Sequence, residues 1–177
     1  INNLLTVLSN EILDNAGTID KYMGDCIMAF WNAPTDQDNH TDLALKASFD
    51  MEKALKEFNI EFEKQKGMEL KIGIGINTGE CIVGNMGSEK RFDYTVLGDP
   101  VNLASRLEGQ SGTYGFQRIL GQETVNGLKS NTILFELDLI QVKGKNEPVK
   151  IYTSFDKFSL KDGKLSEFSK DHEEFLN

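Results

Sequence analysis

Gly17-Thr18-Ile19-Asp20-Lys21-Tyr22-Met23-Gly24-Asp25-Cys26-Ile27-Met28-Ala29-Phe30-Trp31 reads as two short strands joined at Gly24-Asp25. Strand-forming residues flank a Gly-Asp step, which suits a tight turn. The turn presents the Asp25 carboxylate at an exposed hairpin tip, and Lys21 lies one strand-length before it. Taken alone, an Asp beside a Gly is ordinary turn chemistry. A second stretch, far downstream, gives the hairpin its weight.

That stretch is Arg91-Phe92-Asp93-Tyr94-Thr95-Val96-Leu97-Gly98-Asp99-Pro100-Val101-Asn102-Leu103-Ala104-Ser105-Arg106-Leu107-Glu108-Gly109. A strand over Phe92 to Leu97 breaks at Gly98. Asp99 suits an N-cap and Pro100 the first helical turn, with Gly109 as the stop. Val101, Ala104 and Leu107 share one face of this helix. Asn102 and Arg106, four apart, are neighbours on another face. An amide beside a guanidinium is an array of donors suited to oxygen-rich anions, although exposed polar pairs also occupy solvated helix faces.

Working outward, Ile1, Leu4, Leu5, Leu8 and Ile12 have helical spacing, and Gly17 follows as a stop. Asn32-Ala33-Pro34 ends the hairpin, and Thr35 to Thr41 is a polar loop in which His40 is solvated or capping. Asp42 to Lys66 is a long amphipathic helix with a core stripe of Leu43, Ala47, Met51, Ala54, Leu55, Phe58 and Phe62, ended by Gly67. Leu70 to Asn77 alternates as a strand. Gly73 and Gly75 share one of its faces, which predicts close approach by another backbone. Asn77 to Glu80 turns the chain, and Cys81 to Asn85 returns as a second strand of that hairpin. Glu108 to Tyr114 is a loop. Phe116 to Leu120 is a short strand in which Arg118 is expected to face solvent. A short helix over Gln122 to Lys129 and a strand pair, Ile133 to Val142 with Pro148 to Phe155, complete the order. The interleaving predicts an α+β fold with a mainly antiparallel sheet and not a doubly wound parallel one. No Walker or dinucleotide-binding phrase is present.

The 177 residues fit one domain, with 39% hydrophobic and 27% charged residues and a formal charge of -9. That balance supports one real core. An acidic chain is not a general nucleic-acid binder. A polyanionic ligand here needs locally concentrated positive charge or recruited metal ions. The two cysteines, Cys26 and Cys81, fall in strand-like runs and are expected to be small buried thiols in a reducing compartment. No signal peptide or membrane-spanning stretch is visible. Opening on Ile1, the sequence reads as a piece of a longer protein.

The two stretches resemble the catalytic domain of the class III nucleotide cyclases, most closely the bacterial adenylate cyclases. The phrases that carry the resemblance are Ile19 to Asp25, Ile72-Gly73-Ile74-Gly75-Ile76-Asn77-Thr78-Gly79-Glu80, Val83-Gly84-Asn85-Met86-Gly87, Tyr94 to Arg106 and Val142-Lys143-Gly144-Lys145, all in family order. It covers 1–155 as the catalytic domain and leaves 156–177 as a C-terminal extension. It implies a ferredoxin-like βαββαβ core with helices packed on one face of the sheet.

The resemblance implies adenylate cyclase chemistry. The ribose 3′-hydroxyl of ATP attacks the α-phosphorus, pyrophosphate leaves, and 3′,5′-cyclic AMP forms with two Mg²⁺ or Mn²⁺ ions assisting. Asp25 matches the second of two metal-holding aspartates. The first belongs to a strand before the opening helix, and the sequence starts after it. Lys21 and Thr95 match the base-recognition pair. A lysine donates to adenine N1 and a threonine oxygen accepts from the N6 amine, whereas a lysine cannot accept from guanine's N1–H. Read without the resemblance, Lys21 is a solvated strand residue and Thr95 a β-branched strand residue. Asn102 matches the group that orients the ribose, Arg106 the one that stabilises charge on the α-phosphate, and Lys143 the one that meets the terminal phosphates. The resemblance also implies a head-to-tail homodimer with composite sites and a cytoplasmic domain. A sensory or membrane-anchored region often precedes such domains. A guanylate cyclase and a non-catalytic dimerising or nucleotide-binding module are the alternatives.

Overall fold

Apolar spacing at Leu4, Leu5, Leu8 and Ile12 produces helix α1 (Asn2–Asp14), which buries Leu8 and Ile12. The structure is a computed structural model and describes residues 1–141 and 148–155. The Gly24-Asp25 step joins β1 (Thr18–Met23) to β2 (Cys26–Phe30), with Gly24 at φ 67°, a left-handed conformation that glycine adopts without strain. Helix α2 (His40–Lys66) packs against α1 and stops at Gly67, also left-handed. Its fully buried stripe runs through Ala44, Leu45, Ala47, Ser48, Leu55 and Asn59, while the expected Leu43, Met51, Ala54, Phe58 and Phe62 are half-buried beside it.

Asn59 explains why the next strand is short. Its Nδ2 donates to the Leu70 carbonyl at 2.8 Å, and the Leu70 N–H donates to its Oδ1 at 3.0 Å. A side chain takes the backbone groups that a strand ladder would use. Strand β3 is therefore confined to Ile74–Ile76. It does not form the expected hairpin with the Cys81 segment. Instead β4 (Ile82–Ser88) pairs antiparallel with β5 (Arg91–Leu97), from Ile82 opposite Leu97 to Ser88 opposite Arg91.

Helix α3 (Asp99–Glu108) follows, with Asp99 already helical and Gly98 as its N-cap, one residue earlier than the expected cap. Gly109 has φ −60° and not the left-handed stop. The chain passes instead into a short helix, α4 (Ser111–Tyr114), where a loop was expected. The remaining elements are β6 (Arg118–Gly121), α5 (Gln122–Gly127), β7 (Ile133–Ile140) and β8 (Val149–Phe155). The four-stranded sheet has the order β3-β6-β8-β7. Its β3–β6 pair is parallel and the others are antiparallel. With the β1–β2 and β4–β5 ribbons, this is the expected α+β architecture with mainly antiparallel pairing.

The core joins α3 to this sheet. Leu103 and Leu107 pack on Ile119 of β6 and Ile151 of β8, all buried. Each such side chain contributes about 1.5–3 kcal/mol by leaving water. The approach is close because β3 offers no side chain there. A Cβ at Gly75 would collide with the Ala104 carbonyl oxygen and the Glu108 amide nitrogen of α3. Gly75 thus meets a neighbouring backbone, as the alternation predicts, whereas Gly73, just ahead of β3, faces the Ser111 and Glu108 side chains first.

Arg118 is the clearest correction. It is 3% exposed, not solvated. Its Nε donates to Ser48 Oγ at 2.6 Å, Nη1 to the Ser154 carbonyl at 3.0 Å, and Nη2 to Glu52 Oε2 at 3.0 Å. The guanidinium carbon stands 3.9 Å from the centre of the Phe49 ring. Strand alternation assigned a face to Arg118 but could not say that α2 covers that face. Burial pushes the Glu52 carboxyl upward, but the hydrogen bond from Lys56 and the charges of Arg118 and Lys56 outweigh it, so Glu52 titrates below its ordinary value of 4.5.

Cys26 and Cys81 also depart from expectation, since both are free and exposed. Cys26 opens β2 just after the hairpin tip, and Cys81 precedes β4, so neither reaches the packed part of its strand. No described helix is long and apolar enough to cross a membrane. Lys143 and residues 156–177 lie outside the described residues.

Candidate active site

Strand β5 and helix α3 form one continuous unit that carries Thr95, Asn102 and Arg106. The turn between them is made by Gly98 at φ 155°, a conformation that L side chains rarely adopt. Leu103 and Leu107 face the core. That rotates Asn102 to an exposed position and leaves Arg106 half-buried one turn further on. Arg106 has a buried Nη1 that finds no hydrogen-bond partner among the described residues. A buried donor without an acceptor is costly, and an oxygen-rich anion would satisfy it.

Strand β1 meets β5 through Asp20. The Thr95 hydroxyl donates to Asp20 Oδ2 at 2.6 Å, and the Val96 N–H donates to the same oxygen at 3.1 Å. Asp20 Oδ1 lies 3.2 Å from Lys21 Nζ, an ion pair in which the carboxylate is fully buried and the lysine is partly exposed. Lys21 and Thr95, predicted from separate stretches, are thus tied to one carboxylate. Thr95 is itself buried. Asp20 was not singled out in the sequence. Its signal is the strand register. Ile19 pairs with Ala29 and Lys21 with Met28, so Asp20 is an extra residue with no partner across the ladder. A bulge of this kind re-aims a side chain.

Asp25 sits exposed at the hairpin tip, as expected, at the far end of β1 from the Asp20 contact. At its neighbour Cys26 the thiol pKa is raised, first by burial and then by the negative charges of Glu108 and Asp25. The tip therefore feels the C-terminal end of α3. Among the described residues no three His, Cys, Asp or Glu side chains gather into a group that would hold a metal ion. Asp25 fits as one oxygen ligand of a hard divalent cation and does not make a complete cradle. Lys143 lies outside the described residues. The structure thus joins Lys21 to Thr95 through Asp20, carries Asn102 and Arg106 on the adjoining helix, and leaves Asp25 apart at the tip.

Over residues 3–155 the sequence matches the family described as Adenylate and Guanylate cyclase catalytic domain. It is 39% identical over 160 residues to an adenylate cyclase of Anabaena cylindrica, covering 86% of this chain and 31% of the relative. The chain thus spans less than a third of that curated relative's length. Among solved structures it is similar to the adenylyl cyclase CyaB from P. aeruginosa, with 36% identity and a TM-score of 0.81 over 88% of this chain and 80% of that one. It is similar in the same degree to the guanylyl cyclase Cya2, with 35% identity and a TM-score of 0.80 over 87% of this chain and 77% of that one. Likeness over the whole domain does not choose between the two bases, so that choice rests on the chemistry of the residues at the site. By sequence match and by fold, the chain belongs to the adenylate and guanylate cyclase catalytic domains, the class III nucleotide cyclases.

Proposed function

We propose that this chain is an adenylate cyclase catalytic domain that converts ATP to 3′,5′-cyclic AMP and pyrophosphate. The observation that carries this reading is the joining of Lys21 and Thr95 through Asp20, which sets a cationic donor beside a threonine oxygen. Adenine presents an acceptor at N1 and a donor at N6, the complement of that pair. Guanine presents a donor at N1 and an acceptor at O6, which sets the lysine against the N1–H and the threonine acceptor against O6.

In the reaction the ribose 3′-hydroxyl gives up its proton to solvent, its oxygen bonds to the α-phosphorus, the bond from that phosphorus to the oxygen bridging to the β-phosphate breaks, and pyrophosphate leaves. Lys21 and Thr95 bind and orient the base. Asn102, exposed on α3, orients the ribose, and the unsatisfied Arg106 donor faces the charge that develops on the α-phosphate. Lys143 is assigned to the terminal phosphates. Asp25 is one ligand of a divalent ion, Mg²⁺ or Mn²⁺, which when bound supplies Lewis-acid charge to the phosphate oxygens.

The active form in this reading is a head-to-tail homodimer, with the Asp25 tip and the base-binding unit of each composite site coming from different copies. The β4–β5 ribbon supports this. A two-stranded ribbon is marginal alone in water, yet this one exposes Ile82 (72%), Phe92 (63%) and Leu97 (54%). An open groove at its base is lined by Glu80, Cys81, Ile82, Leu97 and Gly98. Phe92→Asp is expected to turn a dimer into a monomer by light scattering and to abolish product formation with it. A dimer that survives the substitution would remove the ribbon from the interface. The domain is assigned to the cytoplasm, residues 1–155 to the catalytic domain, and any sensory or anchoring region to sequence outside this chain.

The test uses the native protein, with any residues that precede Ile1, supplied with manganese and either ATP or GTP. Cyclic AMP is the expected product. Cyclic GMP as the main product would favour the guanylate reading, to which the equal likeness to Cya2 lends support. No product from a folded dimer would favour a non-catalytic nucleotide-binding module, since the described residues supply one metal-type carboxylate and no cluster.

A further inference from the structure

The geometry points to Asp20 as the positioning residue that sets base selectivity, by committing the Thr95 proton inward and holding Lys21 beside it. The inference rests on the adenylate reading and deepens it. A threonine hydroxyl has one proton and two lone pairs, and free in a pocket it can turn to donate or to accept. Such a group discriminates poorly between an exocyclic amine and a carbonyl oxygen. Here the proton is donated to Asp20 Oδ2 at 2.6 Å, and the Val96 N–H at 3.1 Å on the same oxygen keeps the carboxylate in place. What Thr95 has left to offer a base is lone pairs alone. It accepts from the adenine amine and meets the guanine O6 as acceptor against acceptor.

The same carboxylate acts on Lys21. Its second oxygen, Oδ1, is buried, accepts no hydrogen bond, and stands 3.2 Å from Nζ. A carboxylate oxygen there holds the lysine head group beside Thr95. In a regular strand Asp20 and Lys21 would point to opposite faces. The bulge at Asp20 sets that alternation aside and lets one side chain serve both neighbours. One buried carboxylate therefore holds the Lys21 donor in place and makes Thr95 an acceptor, in the pattern that fits adenine.

The test is Asp20→Asn in the native protein, with binding of non-hydrolysable ATP and GTP analogues read by calorimetry alongside turnover. An asparagine amide can donate to the Thr95 oxygen and release its proton toward the base. The ATP-over-GTP binding ratio is expected to fall about tenfold or more, since an unpaired polar group in a built site is the source of such rejection. A residue that only supports the fold would weaken both nucleotides together, and an unchanged ratio would overturn the inference. In a Thr95→Val background the greater part of the Asp20→Asn effect on the ratio should vanish. Should Asp20→Asn fail to fold, the unmutated protein answers with two probes that keep the N1 acceptor. Purine riboside triphosphate is expected to bind at least about tenfold more tightly than its 6-methoxy derivative, whose ether oxygen would face lone pairs. Equal binding would overturn the inference. If the unmutated protein does not prefer the ATP analogue, the adenylate reading itself fails, an outcome distinct from a retained preference in Asp20→Asn.

Discussion

Arg106→Ala is expected to cut cyclic AMP formation by about 100- to 1,000-fold, the usual cost of removing one preorganised donor from a developing oxyanion. Its melting temperature should stay close to that of the parent. The buried Nη1 has no hydrogen-bond partner to lose among the described residues, and deleting an unsatisfied donor relieves about 1–3 kcal/mol. Against that, a cation in the last turn of α3 contributes about 0.3–1 kcal/mol through the helix dipole, and Arg106 holds that position. The terms oppose, so stability moves little while turnover collapses. Arg106→Lys keeps a charge but loses the planar fork, and should recover only part of the rate. The measurement is a single-turnover cyclic AMP assay beside a thermal melt. Full turnover in Arg106→Ala would remove it from the α-phosphate, and a large loss of melting temperature would make it a structural residue.

Arg118→Ala should behave in the opposite way. This guanidinium is enclosed by Ser48, Glu52, Phe49 and the Ser154 carbonyl, which bind α2 to β6 and β8. Removing one partner of a buried ion pair costs about 3–5 kcal/mol. For a chain of this size that corresponds to a fall in melting temperature of roughly 6–20 °C. Glu52 adds a pH signature. Its folded pKa lies below the ordinary 4.5, so its contribution is present above that value and is lost as pH falls through the lowered one. In Arg118→Ala the acid limb of the stability curve should be shallower, because the charge that holds Glu52 down is partly gone. Denaturant melts from pH 7 to pH 3 would read both effects. An unchanged midpoint and acid limb would mean that the cluster contributes nothing net.

The two arginines mark what the sequence could and could not disclose. Arg106 was legible because its surroundings are local. Asn102 lies one turn away and Gly98 and Pro100 start the helix, although the buried face is Leu103 with Leu107 and not the Val101, Ala104 and Leu107 face that the spacing suggested. Arg118 was not, since its partners lie 36 to 70 residues away on α2 and β8, and strand alternation does not report what packs above. The same distance effect hid the pairing of β3. Adjacent strands in sequence suggest a hairpin, but β3 finds its partner in β6 and leaves β4 to β5. Lys21 and Thr95 were found as residue types in two phrases, while the Asp20 link between them depends on a bulge, and a register slip leaves little trace in composition. Gly67 and Gly75 behaved as read. Gly109 did not, because the short turn of α4 takes up the chain where a left-handed cap would have ended it.

The contact at Gly75 limits how this domain can be switched. Helix α3 rests on β3 with no side chain as cushion, and the Ala104 carbonyl and Glu108 amide occupy the space a Cβ would fill. Sliding or tilting the helix would drive one backbone into another, so α3 behaves as part of the sheet. A signal that turned the enzyme on by swinging Arg106 within one copy would work against that joint. In the proposed dimer, the freedom left to a control input would lie in the approach of the second copy, whose alignment could be tuned while α3 stays seated on its sheet. Output would then be graded by the meeting angle of two stiff bodies, much as a gear train is engaged by moving its shafts and not by bending its teeth.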